Sequence, residues 1–345
     1  MACVDRIERI CGRDLDERAL RMAVLSEIRA AVPCDAYAWL LTDPETCVGS
    51  APLAEGPSLA DLPLLIRLKY LTATNRWTSL GPDASATLVE ATGGDRSKSR
   101  FWEDLLKRYG IDDVASSVFR DQHGCWGFLD PLAARWCVLD GGVHAVERSR
   151  PGRDAGASPE SRVDVRARRE PARPASGPVV LLVSNDLQLL TQTPQTDAYL
   201  RALLPTDPDR APVPAGAYNV AAQLLAQENG VDAHPPWARV HLREGLWVTL
   251  RAARMEGSTP ASASIAVSIE PTRPTERTAL YARVVGLTER ESELLHQLVG
   301  GSDTRELAQR LYMSEYTVQD HLKSIFAKTG ANSRRVLIAR ATGSA

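Results

Sequence analysis

The segment TVQDHLKSIFAK, from Thr317 to Lys328, constrains this chain more than any other. Val318, Leu322, Ile325 and Phe326 recur at i, i+4, i+7 and i+8, the spacing of one buried helical stripe. Tyr316, Gln319, Asp320, Lys323 and Ala327 fall on a second face without bulky aliphatic residues. A helix divided in this way anchors through one side and offers the other to a partner. The reading therefore requires Val318 and Leu322 to be buried, with Gln319 and Lys323 facing outward.

The preceding residues supply the bundle that such a helix needs. Thr288 with Glu291, and Asp303 with Glu306, have the spacing of capping boxes. Leu294, Leu295, Leu298 and Val299 give the first of these helices an apolar face, and Leu307, Ala308 and Leu311 do the same for the second. Tyr312 and Met313 make a short turn, after which Ser314 can cap the next helix through the amide of Thr317. Gly330 is suited to a left-handed stop, and Asn332 or Ser333 can open a last helix carrying Val336, Leu337 and Ile338. The segment from Gly286 to Ala345 thus reads as an all-α, four-helix domain containing a helix-turn-helix.

Its charge is polarised. From Tyr316 onward five basic residues (Lys323, Lys328, Arg334, Arg335, Arg340) face one acid, Asp320, a net of +4, while Gly286 to Glu315 carries a net of −3. The positive end coincides with the two-faced helix, as an electrostatic footprint on DNA would require. A net charge of −2 over the whole chain conceals this.

The runs LTERE, DTRELAQRL and SEYTVQDHLKSIFAKTG, with a following Ser-Arg, resemble the DNA-binding domain of LuxR-type transcriptional regulators in order, spacing and residue type. The resemblance implies a recognition helix in the major groove of double-stranded DNA, with Gln319, Asp320 and Lys323 near base edges. Tyr316, Thr317, Lys328, Arg334 and Arg335 would lie along the backbone. Glutamine suits adenine, aspartate the cytosine amino group and lysine guanine. Many family members have lysine where Gln319 stands, which bears on the target sequence and not on the fold. Asp320 is either a specificity residue or an ion partner of Lys323. The family also implies a homodimer joined through Val336, Leu337 and Ala339, half-sites one DNA turn apart, and a contact with RNA polymerase. The alternative is a helical protein-interaction module or signalling adaptor without sequence-specific DNA binding. A steep loss of DNA affinity with salt separates the two.

With 345 residues, of which 44% are hydrophobic, the chain is long enough for two or three domains. No apolar run is long enough to span a membrane, the first twenty residues lack a signal-like core, and the six cysteines form no C-x-x-C pair. A reduced, cytoplasmic setting is expected, with a redox-sensing cysteine pair as a minor alternative. Hydrolase, P-loop, zincin and dinucleotide motifs are lacking, so no enzyme, catalytic residue or cofactor is expected. His321 has no cysteine or second histidine at a ligand spacing, so no metal is expected either.

Residues 4–130 read as α+β: a helix over Arg18 to Val32, a strand over Asp35 to Leu41, helices over Leu59 to Leu71 and Phe101 to Tyr109, and a hairpin over Val114 to Leu129. The runs DAYAWLLTDPET, IRLKYLTATNRW and VFRDQHGCWGFLD resemble GAF-like sensor domains. That implies a small-molecule ligand, with Trp39, Trp77 and Trp126 as candidate lining residues, although tryptophans at such positions are also ordinary core. Residues 131–177 break the pattern. Between Arg148 and Pro174 lie eight arginines, four prolines and no lysine. Such a stretch reads as an Arg/Pro-rich linker, or as the product of a slipped reading frame in a high-GC gene.

Residues 178–270 form a second α+β unit: two strands about an Asn-Asp turn, helices through Leu200 and over Ala217 to Gln227, then three strands with Glu244-Gly245 as a hairpin turn. LLVSNDLQLLTQTPQTDAYL resembles a PAS-type entry. Asp197 and His234 have no partner at a recognisable spacing and read as solvated surface. Residues 271–285 read as a linker to the domain at 286–345.

Overall fold

A computed structural model describes residues 3–56, 58–81, 85–133, 136–139, 142–145, 177–204, 211–242, 247–256 and 264–343. Helices α1 (Cys3–Cys11) and α2 (Glu17–Ala31) lead into strands β1 (Ala36–Thr42) and β2 (Gly49–Glu55), helix α3 (Leu62–Leu71), β3 (Ser85–Thr87), the short helices α4 (Leu88–Ala91) and α5 (Arg100–Asp104), and the hairpin β4 (Asp113–Asp121) and β5 (Gly124–Ala133). These strands form an antiparallel sheet in the order β2-β1-β5-β4-β3. The central strands β1 and β5 alternate in the way a sheet covered on both faces requires. Trp39 and Leu129 turn toward α1 and α2 with Tyr37, Val24 and Leu25, while Phe128 and Val118 turn the other way.

Strands β6 (Trp136–Leu139) and β7 (Gly142–Ala145) pair as a separate hairpin. The expected linker at 131–177 therefore starts inside β5 and includes a hairpin, and its Arg/Pro-rich remainder lies outside the described residues. Next come β8 (Val180–Val183), β9 (Leu189–Gln192), α6 (Thr196–Leu203), α7 (Ala215–Glu228), β10 (Trp237–His241), β11 (Trp247–Arg254) and β12 (Ile265–Pro271). The second sheet is also antiparallel and runs β10-β11-β12-β8-β9. Numbered within each unit, both sheets read 2-1-5-4-3, so two distant stretches of chain share one connectivity. The expected turn at Glu244-Gly245 falls outside the described residues.

The two sheets share a core. In each unit the long helix between the second and third strands covers the sheet, and these helices, α3 and α7, pack on each other. One hydrophobic cluster runs from Val48, Ile66, Tyr70, Trp77 and Phe128 to Leu181, Val220, Leu250 and Ile269. Helix α7 is buried along nearly its whole length because α3 covers the side that its own sheet leaves open. Its sequence, AGAYNVAAQLLAQE, is mostly small and apolar, as a helix between two layers requires, with Asn219 and Gln223 as its buried polar residues.

Trp77 is fully buried, stacked on Phe128 at 4.4 Å, and its Nε1 donates to the carbonyl of Cys47 at 2.9 Å. Trp39 belongs to the cluster on the opposite face and stacks on Phe119 at 5.4 Å, and Trp126 is half-buried. The expectation that Trp39, Trp77 and Trp126 line one pocket is thus corrected. Trp39, on β1, faces the side covered by α1 and α2, while Trp77, in the loop after α3, packs on Phe128 on the other side of the sheet.

Helices α8 (Pro274–Val284), α9 (Glu289–Val299), α10 (Thr304–Arg310), α11 (Glu315–Thr329) and α12 (Arg334–Thr342) complete the chain. The stretch expected as a linker at 271–285 is largely helix. α8 packs on α9 and α12 and contributes Ala282 to their core, so five helices rather than four form the bundle. Among the described residues no helix is long and apolar enough to cross a membrane, and no cluster of three or more His, Cys, Asp or Glu side chains could hold a metal ion.

Candidate nucleic-acid interface

The bundle is built from local signals. Thr288 and Glu291 close a reciprocal capping box at the start of α9, and Asp303 and Glu306 close another at α10. The hydroxyl of Ser314 accepts from the amide of Thr317 at 3.1 Å, and that of Ser333 accepts from Val336 at 3.3 Å. Gly330 ends α11 at φ +62°, the left-handed stop expected of it.

Leu294, Leu295 and Leu298 of α9, Leu307 of α10, Val318, Leu322 and Ile325 of α11 and Leu337 of α12 meet in one core. Val318 and Leu322 are buried, while Gln319, Asp320 and Lys323 are exposed. The two faces of α11 are divided as its sequence requires. Tyr316 stands 75% exposed on the outer face, beside Tyr312 of the preceding turn at 95%. Two tyrosines so exposed are unusual for an isolated bundle. Thr317 is half-buried and bonded to Ser314 Oγ at 2.9 Å.

The polar residues divide between free and committed. Lys323 Nζ lies 3.1 Å from Asp320 Oδ1, an exposed pair that costs little to break. Arg335 is exposed, and Arg334 Nη2 donates to Thr304 Oγ1 at 2.5 Å, tying the start of α12 to that of α10. Lys328 departs from expectation. Its Nζ donates to Glu291 Oε2 at 2.6 Å and to the carbonyl of Gly286 at 3.2 Å, so its charge serves the packing of α11 on α9 rather than standing free for a phosphate. Leu337, expected at a dimer contact, is fully buried in the bundle, while Val336 and Ala339 are half-buried. The helical period places Leu337 on the inner face of α12, opposite the exposed Arg335.

Sequence reasoning missed Glu291 as a positioning group. Burial alone would raise its pKa, but Lys328, the Ser324 hydroxyl at 2.6 Å and the backbone amide of Thr288 at 2.7 Å hold it down to about 2. Ser324 and Lys328 are one turn apart on α11, so a single buried carboxylate fixes the rotation of that helix about its axis. The sequence marks Glu291 only as a capping residue.

Residues 285–341 match the family described as bacterial regulatory proteins, luxR family. The transcriptional regulatory protein LnrK of Bacillus subtilis (strain 168) is 39% identical over 51 residues, which is 15% of this chain and 23% of that protein. The chain thus spans less than a quarter of that relative's length. Among solved structures, the crystal structure of Escherichia coli SdiA in space group P6522 aligns over 99% of this chain and 96% of that one, at 13% identity and a TM-score of 0.31.

Proposed function

We propose that the luxR-family DNA-binding domain at residues 285–341 is the output of a transcriptional regulator whose α/β body governs it. The observation that carries the reading is the division of α11 into a buried Val318, Leu322 and Ile325 stripe and an exposed face of Tyr316, Gln319, Asp320 and Lys323. In the bound state Lys323 leaves Asp320 for a guanine edge, Gln319 addresses adenine, and Arg334, Arg335 and Thr317 meet phosphates. Lys328 acts at one remove, by holding α11. Dimerisation through the outer side of α12 uses Val336 and Ala339, Leu337 being unavailable.

The body is read as a GAF-like unit followed by a PAS-like unit. The shared 2-1-5-4-3 strand order supports two sensor modules of related design, and their joint core supports their acting as one body.

Selection of bound duplexes from a random pool, followed by gel shift of the full chain under salt titration, tests the assignment. One enriched sequence and an affinity that falls steeply with salt are expected. Lys323→Ala should cost about 1–3 kcal/mol on that sequence and little on unrelated DNA. No enrichment and a flat salt response would leave a helical protein-interaction module instead.

A further inference from the structure

At the seam between the two sheets a thiol, an imidazole and a carboxylate line up from distant parts of the chain. Cys47 Sγ lies 3.5 Å from Nε2 of His234, whose Nδ1 lies 2.6 Å from Oδ1 of Asp232. This corrects the expectation that His234 is solvated surface without a partner. Asp232 is itself fixed by Arg76 Nε at 2.9 Å, Thr78 Oγ1 at 2.7 Å and Gln223 Nε2 at 3.3 Å. Against burial, the bonds from His234 and Thr78 and the charge of Arg76 hold its carboxyl well below the ordinary carboxylate range. An ionised Asp232 only accepts, so Nδ1 of His234 carries the ring proton and Nε2 turns its lone pair to the Cys47 thiol.

The thiol is held as firmly as its base. Cys47 stands at φ +57° in the turn between β1 and β2, a left-handed conformation that few residues other than glycine adopt. Its amide donates to the carbonyl of Asp43 at 2.8 Å, and its carbonyl accepts from Trp77 Nε1. On the facing loop the His234 carbonyl accepts from Gln223 Nε2 at 2.8 Å. Cys125 and burial push the Cys47 thiol up, so at rest it is neutral and needs a base to react. With the His234 ring 35% exposed against 5% for Cys47, the way in from solvent runs along the imidazole. One further donor stands nearby. Arg120 Nη2 reaches the carbonyl of Thr78, the neighbour of Asp232, at 3.5 Å, while its buried Nε has no partner among the described residues.

We propose that Cys47, with His234 as its base, is a covalent capture site for small α,β-unsaturated carbonyl compounds, the enals and enones. Nε2 takes the thiol proton as the sulfur attacks the β-carbon, so the S–C bond forms while the C=C π bond breaks. The displaced electron pair runs to the carbonyl oxygen as an enolate, for which the unpartnered N–H of Arg120 is a donor. The imidazolium, oriented by Asp232 on Nδ1, then returns its proton to the α-carbon. Thiol and electrophile thus join as one adduct, with nothing expelled and nothing oxidised. The same balance selects the class. A neutral, buried thiol with one base has the means to move a proton out and back. An alkyl halide or a disulfide would instead leave an anion to be expelled from the apolar cluster of Val48, Tyr70, Trp77 and Phe128.

The test treats the reduced full chain with a stoichiometric amount of methyl vinyl ketone and follows each cysteine by peptide mapping. Cys47 should carry the adduct first, about tenfold or more faster than the exposed Cys11. His234→Ala should slow the labelling of Cys47 about tenfold or more without slowing that of Cys11, and free imidazole should restore it. If His234→Ala does not fold, His234→Gln takes its place and the slowing alone decides. An adduct on Cys11 or Cys125 ahead of Cys47 overturns the proposal. So does labelling of Cys47 as fast in the variant as in the wild type, or a slowing in His234→Ala that imidazole leaves untouched.

Discussion

Glu291 is the residue on which the orientation of α11 turns. A carboxylate 3% exposed survives as an anion only where donors replace its water, and Thr288, Ser324 and Lys328 do so here. Its pKa stands at about 2 in the folded chain against an ordinary 4.5. The stabilisation it gives is therefore complete above about pH 4.5 and fades as pH falls toward 2. Glu291→Gln should lower the unfolding free energy near neutral pH by about 1–3 kcal/mol. The difference from wild type should shrink as urea melts are repeated down through that window. A constant difference from pH 6 to pH 2.5 would mean that the carboxylate charge is not what holds α11. Lys328→Ala should show the same loss of stability, and whatever it costs in DNA binding should follow from a helix no longer fixed in rotation.

At the scale of elements, α11 is delimited by Ser314 at one end and Gly330 at the other. Gly330 adopts φ +62° with only Arg340 Nη1, at 3.7 Å, near a would-be Cβ, so Gly330→Ala meets backbone strain without a clash. About 1 kcal/mol of destabilisation is expected, read as a lower thermal midpoint with DNA specificity unchanged. Loss of specificity without loss of stability would contradict it. These ends were legible in the sequence because caps, left-handed stops and a 3.6-residue period act within a few residues of one another. The same holds for α2, α3, α7 and the hairpin of β4 and β5. Strand β2 was not legible: GSAPLAE carries a proline and a glycine, which an edge strand paired on one side tolerates. Helix α8 looks like a linker in sequence because its apolar face is narrow, only Thr278, Leu280 and Ala282 being buried. The seam was beyond local reading altogether, since Cys47 and His234 are 187 residues apart and carry no pattern that points from one to the other.

Over the whole molecule the question is whether the two sheets and the C-terminal bundle respond together. Arg239 of β10 bears on it most directly. Its guanidinium takes Asp43 through Nε at 2.7 Å and Nη2 at 2.9 Å, with both side chains almost wholly buried, and its Nη1 donates to the carbonyl of Glu276 in α8 at 3.0 Å. One side chain thus touches the first sheet, the second sheet and the helix that leads into the bundle. Arg239→Met removes the cation and leaves Asp43 buried without it, which should cost about 3–5 kcal/mol. Arg239→Met with Asp43→Leu removes both charges and should recover most of that loss, because a buried pair replaced by apolar groups is often neutral. Hydrogen exchange separates this coupling from plain destabilisation. In Arg239→Met the amides of α8 should lose protection together with those of β1 and β10, whereas Gly330→Ala should loosen the bundle without touching the sheets. If α8 keeps wild-type protection in Arg239→Met while the sheets lose theirs, then the body and the bundle open independently.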